Sequence, residues 1–157
     1  MEHKWDEAFG YLYGQEADYS RADLGSAPTG NGTTLNKYFK KINDSNMPGI
    51  AQTVYDAFKL GRAAIVAGNY EVRDAQANII KIHLSKVIGY KSVDYLNGYM
   101  SKMAAGNTAD AFHALSEGYG FIMSLQFTND GTVNPYFTKA EVDTMLQRMR
   151  ELTVQAA

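Results

Sequence analysis

Residues 70–105 read YEVRDAQANIIKIHLSKVIGYKSVDYLNGYMSKMAA, and this stretch decides the fold class. Val72, Ala75, Ile79, Ile80, Val87, Tyr90, Val93, Leu96, Met100 and Met103 recur at helical spacing and trace a broad apolar face. At about 1.5 Å of rise per residue, one helix over this stretch spans roughly 50 Å. Gly89 and Gly98 interrupt it, each costing up to about 1 kcal/mol against Ala. A single helix is expected, with a bend allowed at the glycines.

The same periodicity continues on both sides. After a stop and new cap at Gly106-Asn107, Phe112, Leu115, Tyr119, Ile122 and Met123 carry a helix to about Gln126. Asn129 to Phe137 reads as a loop. Its Asn129-Asp130-Gly131 is a turn, because the alternating oxygen ligands and closing Glu of a calcium loop are missing. Thr138 and Glu141 then have capping-box spacing, ahead of a last helix striped by Val142, Met145, Leu146, Met149 and Leu152.

Toward the N-terminus, Pro48 is placed to open a helix running to about Ala67, which Gly68-Asn69 ends. A short helix is expected near Leu35 to Asn43. Gly14 to Thr34 is rich in Gly, Ser, Asp and Thr and reads as a long loop of the kind that is usually functional or mobile. From Glu2 to about Tyr13, Trp5, Ala8, Phe9 and Leu12 mark an amphipathic helix whose other side carries His3, Asp6 and Glu7. Six helices and no strand predict an all-α helical bundle, a single domain over residues 1–157. No Ser, Thr, Asp or Asn precedes the first helix to cap it, so the chain is expected to be the later part of a larger protein.

Composition narrows the function classes. With 45% hydrophobic and 20% charged residues over 157 positions, the chain is long enough to bury a core. A net charge of −2, from 15 basic and 17 acidic residues, gives no broad footprint for nucleic acid or anionic lipid. No cysteine is present, which excludes disulfides, thiolate metal sites and cysteine nucleophiles. No apolar run reaches the length of about 18 residues needed to span a membrane, and no signal-peptide core stands in this chain. Phosphate-loop, serine-elbow and His-Glu-x-x-His signatures are absent.

The remaining chemistry lies with histidine. His3 has Asp6 at i+3 and Glu7 at i+4, and His113 has Glu117 at i+4 on another helix. Two such faces brought together would combine imidazole nitrogen with carboxylate oxygen, a set that suits iron or zinc rather than copper(I). His83 has no carboxylate at either spacing and is read as a satisfied interior histidine or a surface one. The eleven tyrosines, including Tyr11, Tyr13, Tyr90, Tyr95, Tyr99 and Tyr119, could line a ligand cleft, but at helical spacing such residues are more often core with a hydroxyl at the rim. Gly118 and Gly120 would permit close helix approach.

The segments His3–Gly14 (HKWDEAFGYLYG) and Phe112–Ile122 (FHALSEGYGFI) resemble a recurrent pair from a family of bacterial exported proteins, itself similar to the imelysin-like, iron-regulated-protein-A-like group. That resemblance implies two bundle-like halves and a periplasmic or outer-membrane lipoprotein context. It also implies a role in iron acquisition or, as for imelysin, peptidase activity. The group's Gly-x-His-x-x-Glu metal motif is matched at His3, with Asp6 in place of its Glu and Met1 where its Gly would stand. The expectation is a non-enzymatic exported protein that binds iron or zinc through His3, Asp6 and Glu7, with His113 and Glu117 as further ligands. The alternatives are a metal-dependent peptidase and a protein- or glycan-binding module without metal.

Overall fold

The computed structural model describes residues 1–14 and 35–155. The expected loop over 15–34 lies outside the described residues. The regular elements among the described residues are all helical: α1 Glu2–Tyr13, α2 Asn36–Ser45, α3 Ile50–Val66, α4 Tyr70–Ala104, α5 Thr108–Ser124, a 3-10 turn Leu125–Phe127, and α6 Lys139–Gln155. Among the described residues there is no strand, and no helix is long and apolar enough to cross a membrane.

The chain forms two compact units, Met1–His83 and Leu84–Ala157. In the first, α1 and α2 both pack on α3. Ile42 and Val54 are fully buried there, with Leu12, Tyr13, Phe39, Ile50 and Phe58 around them. Complete burial of one such aliphatic side chain contributes about 1.5–3 kcal/mol, so this small core is what holds α1 in place. In the second unit, α5 packs on α6 around Ala111, Leu115, Ile122, Val142, Leu146 and Met149.

Several boundaries follow local chemistry. The capping box forms reciprocally: the Thr138 N–H donates to Glu141 Oε2 at 2.8 Å, and the Glu141 N–H donates to Thr138 Oγ1 at 3.3 Å. Asn107 stands at the cap of α5, but its side chain donates to Asp110 Oδ2 at 2.8 Å instead of bonding the helix backbone. Around Asn129, the Gly131 N–H donates to Asn129 Oδ1 at 2.7 Å and the Thr132 N–H to Asp130 Oδ1 at 2.9 Å, which makes this segment a turn.

Two expectations need correction. Pro48 is not in the first turn of α3. It precedes Gly49, whose φ of 89° and ψ of −6° suit the third position of a type II turn, closed by the Ile50 N–H donating to Met47 O at 3.2 Å. The Asn43 side chain caps that turn, since its Oδ1 accepts the Gly49 N–H at 2.9 Å. The helix over 70–104 is continuous through both glycines, yet its buried face differs from the apolar stripe. Val93 and Met100 are 56% and 58% exposed, whereas Lys91 is 3% exposed. Lys91 can be buried because its ammonium donates to Asp94 Oδ2 at 3.0 Å and lies 4.7 Å from the Tyr95 ring centroid.

Candidate functional site

Helix α1 has two faces. Trp5, Phe9, Leu12 and Tyr13, at positions i, i+4, i+7 and i+8, turn toward α3. The Trp5 indole N–H donates to the Phe58 carbonyl at 2.9 Å, and its ring lies edge-on to Phe58 with centroids 5.8 Å apart. Phe9 packs against Phe58 at 5.5 Å and Tyr13 at 4.5 Å. Gly61 lets this happen: a Cβ there would stand 2.1 Å from Trp5 Cζ2.

Polar side chains of α1 fall into two groups. Arg62 of α3 donates from Nε to Asp6 Oδ1 at 2.7 Å and from Nη2 to Glu2 Oε2 at 2.7 Å. The hydrogen bond to Asp6, reinforced by Glu2, holds the guanidinium above its ordinary pKa. Farther from α3, His3 Nε2 lies 3.5 Å from Glu7 Oε1, and Lys4 Nζ donates to Glu7 Oε2 at 2.9 Å. Of the three residues expected to act together, His3 and Glu7 are paired and Asp6 is engaged by Arg62.

On α5, His113 Nε2 lies 4.0 Å from Glu117 Oε1, with the imidazole exposed. Gly118, one residue on, is a close-approach position, since a Cβ there would sit 3.2 Å from Tyr95 Cβ, while Gly120 faces open space. His83 Nδ1 lies 2.7 Å from the Ile79 carbonyl oxygen one turn back. Among the described residues, no group of three or more His, Asp or Glu side chains is gathered closely enough to hold a metal ion by itself.

Carboxyls held below their ordinary pKa serve the scaffold. Lys40 lowers Asp44 by a hydrogen bond along α2, the Thr132 hydroxyl lowers Asp130 in the turn, and the Thr138 N–H lowers Glu141 in its cap. Their perturbation has a structural cause and marks no acid–base pair.

Between α1 and α3 a cleft of about 170 Å³ opens, lined by Trp5, Asp6, Phe9, Tyr55, Phe58, Lys59 and Arg62. Sequence reasoning missed its α3 wall. Tyr55, Phe58, Lys59 and Arg62 stand at i, i+3, i+4 and i+7, one face that mixes aromatic and basic side chains. That spacing was the available signal.

An all-α domain whose most distinctive segment is a helix with an aromatic inner face and a His–carboxylate outer face is the class these features define. The chain belongs to the family described as a domain of unknown function, DUF4856, which matches residues 1–152. No curated protein and no solved structure matches it.

Proposed function

We propose that this domain is a non-enzymatic, exported helical protein that takes up a divalent metal ion, iron or zinc, on the outer face of α1. One observation supports metal uptake: His3 Nε2 and Glu7 Oε1 stand 3.5 Å apart on the same exposed side of a helix that α3 holds in place. Imidazole nitrogen and carboxylate oxygen are a donor set suited to both metals, and the i,i+4 spacing lets one ion bridge them. Two protein ligands leave coordination positions for water or for donors from another molecule, as an acquisition role requires. Asp6 stands outside the pair, its carboxylate held by Arg62. The His113–Glu117 pair on α5 repeats the arrangement as a second two-ligand site.

Export and kinship with the imelysin-like group are supported by the His3–Gly14 and Phe112–Ile122 segments. The test is calorimetric titration with Zn²⁺, and anaerobically with Fe²⁺, of the unmodified chain, His3→Ala, Glu7→Gln and His113→Ala. The His3 and Glu7 variants are expected to lose the tighter binding event, and His113→Ala the weaker one. Equal binding by His3→Ala and the unmodified chain would sink the proposal.

A further inference from the structure

We propose that the cleft between α1 and α3 binds a small organic acid made of one aromatic ring and one carboxylate, with the ring among Trp5, Phe9 and Tyr55 and the carboxylate on Lys59. This cleft uses the inner side of α1 and shares only Asp6 with the face expected to bind metal.

Four aromatic side chains, Trp5, Phe9, Tyr55 and Phe58, contribute to one cleft of about 170 Å³. Phe58 alone among them is buried; the other three keep part of their surface accessible. An apolar cavity of about 150 Å³ accommodates benzene, so the cleft has room for a single ring. Aromatic walls favour an aromatic guest through edge-to-face and offset contacts.

Charge selects the rest of the ligand. Arg62, in the same lining, is held by Asp6 and by Glu2 at 2.7 Å each, so its charge is already offset. Lys59 is different. Its ammonium sits 5.4 Å from the Tyr55 ring centroid, and among the described residues no carboxylate pairs with it. Asp56, three residues earlier on the same helix, accepts from Gln52 Nε2 at 2.9 Å. An exposed cation at the mouth of an aromatic cleft is complementary to an anion whose ring fills that cleft.

Trp5 is the single tryptophan of the chain and forms part of the wall, so its fluorescence reports occupancy directly. The probes are phenylacetate and its neutral isostere phenylacetamide, titrated into the whole chain in the presence of EDTA, which separates this test from metal uptake. Phenylacetate is expected to shift Trp5 emission saturably and to bind about two- to fivefold more tightly than phenylacetamide, the factor expected of one exposed ion pair. Lys59→Gln, a change at an exposed position, is expected to remove that preference, so that the two probes bind with equal affinity. Tyr55→Ala is expected to weaken both probes. Equal affinity of the unmodified chain for the two probes, an unaltered preference in Lys59→Gln, or no saturable shift with phenylacetate overturns the proposal.

Discussion

Trp5 and Gly61 meet so closely that the indole benzo edge occupies the space a side chain would take, 2.1 Å from an added Cβ at the nearest atom. Gly61→Ala therefore forces the ring outward and strains the hydrogen bond from its N–H to the Phe58 carbonyl. Overpacking of this kind costs about 1–3 kcal/mol. Urea unfolding followed by Trp5 fluorescence should show that loss, together with red-shifted native emission. In a Trp5→Leu background, followed by circular dichroism, the same glycine substitution should cost much less, because the colliding ring is gone. The Trp5 position was legible in the sequence as a core-facing residue of an amphipathic helix. Gly61 was not, because a glycine within a helical pattern shows no periodicity of its own and its partner is 56 residues away.

At the scale of elements, α6 shows how completely local sequence can set a boundary. Thr138 and Glu141 bond each other's backbone N–H groups, and the helix begins at Lys139. Thr138→Ala is expected to lower stability by about 1 kcal/mol, the usual effect of losing a cap, measurable as a reduced urea midpoint. The same cap carries a pH dependence. The Thr138 N–H and hydroxyl hold the Glu141 carboxyl below its ordinary value of 4.5, so the folded state binds this proton less readily than the unfolded chain does. Its contribution is complete above pH 4.5 and is lost as pH falls through the depressed folded value. Comparing Glu141→Gln with the unmodified chain, stability should converge in acid and diverge above that range.

The helix over 70–104 was legible as an element but not in its packing. Its apolar stripe included Val93 and Met100, which are exposed, and omitted Lys91, which is buried. Over 35 residues a 3.6-residue period admits more than one apolar face, and the neighbours of each turn decide which face is covered. Pro48 was misassigned for a related reason. Proline's fixed φ suits both the first turn of a helix and the second position of a type II turn, and here Gly49 with positive φ selects the turn.

For the molecule as a whole, the proposed metal pair lies on a helix already formed and packed, unlike small zinc domains that fold only on binding. Added Zn²⁺ should therefore leave the far-ultraviolet circular dichroism unchanged while raising thermal stability by linkage, about 2.7 kcal/mol at a hundredfold excess over Kd. A rise in helix content on adding metal would point instead to coupled folding. His3→Ala should remove most of the stabilisation without altering the helical signal.

The all-α class, the places of the six helices, the cap of α6, the turn at Asn129 and both His–carboxylate pairs were determined by the sequence itself. Each rests on interactions between residues at most a few positions apart, where backbone geometry alone fixes the neighbours. Tertiary structure decided what becomes of those residues. It brought Arg62 to Asp6 and Glu2, separating Asp6 from the His3–Glu7 pair, and it set Tyr55, Phe58 and Lys59 opposite Trp5 and Phe9 to form a cleft. These contacts join residues about 50 positions apart. Which side chains meet across that separation depends on how two helices pack, and a one-dimensional pattern records only the face that each helix offers.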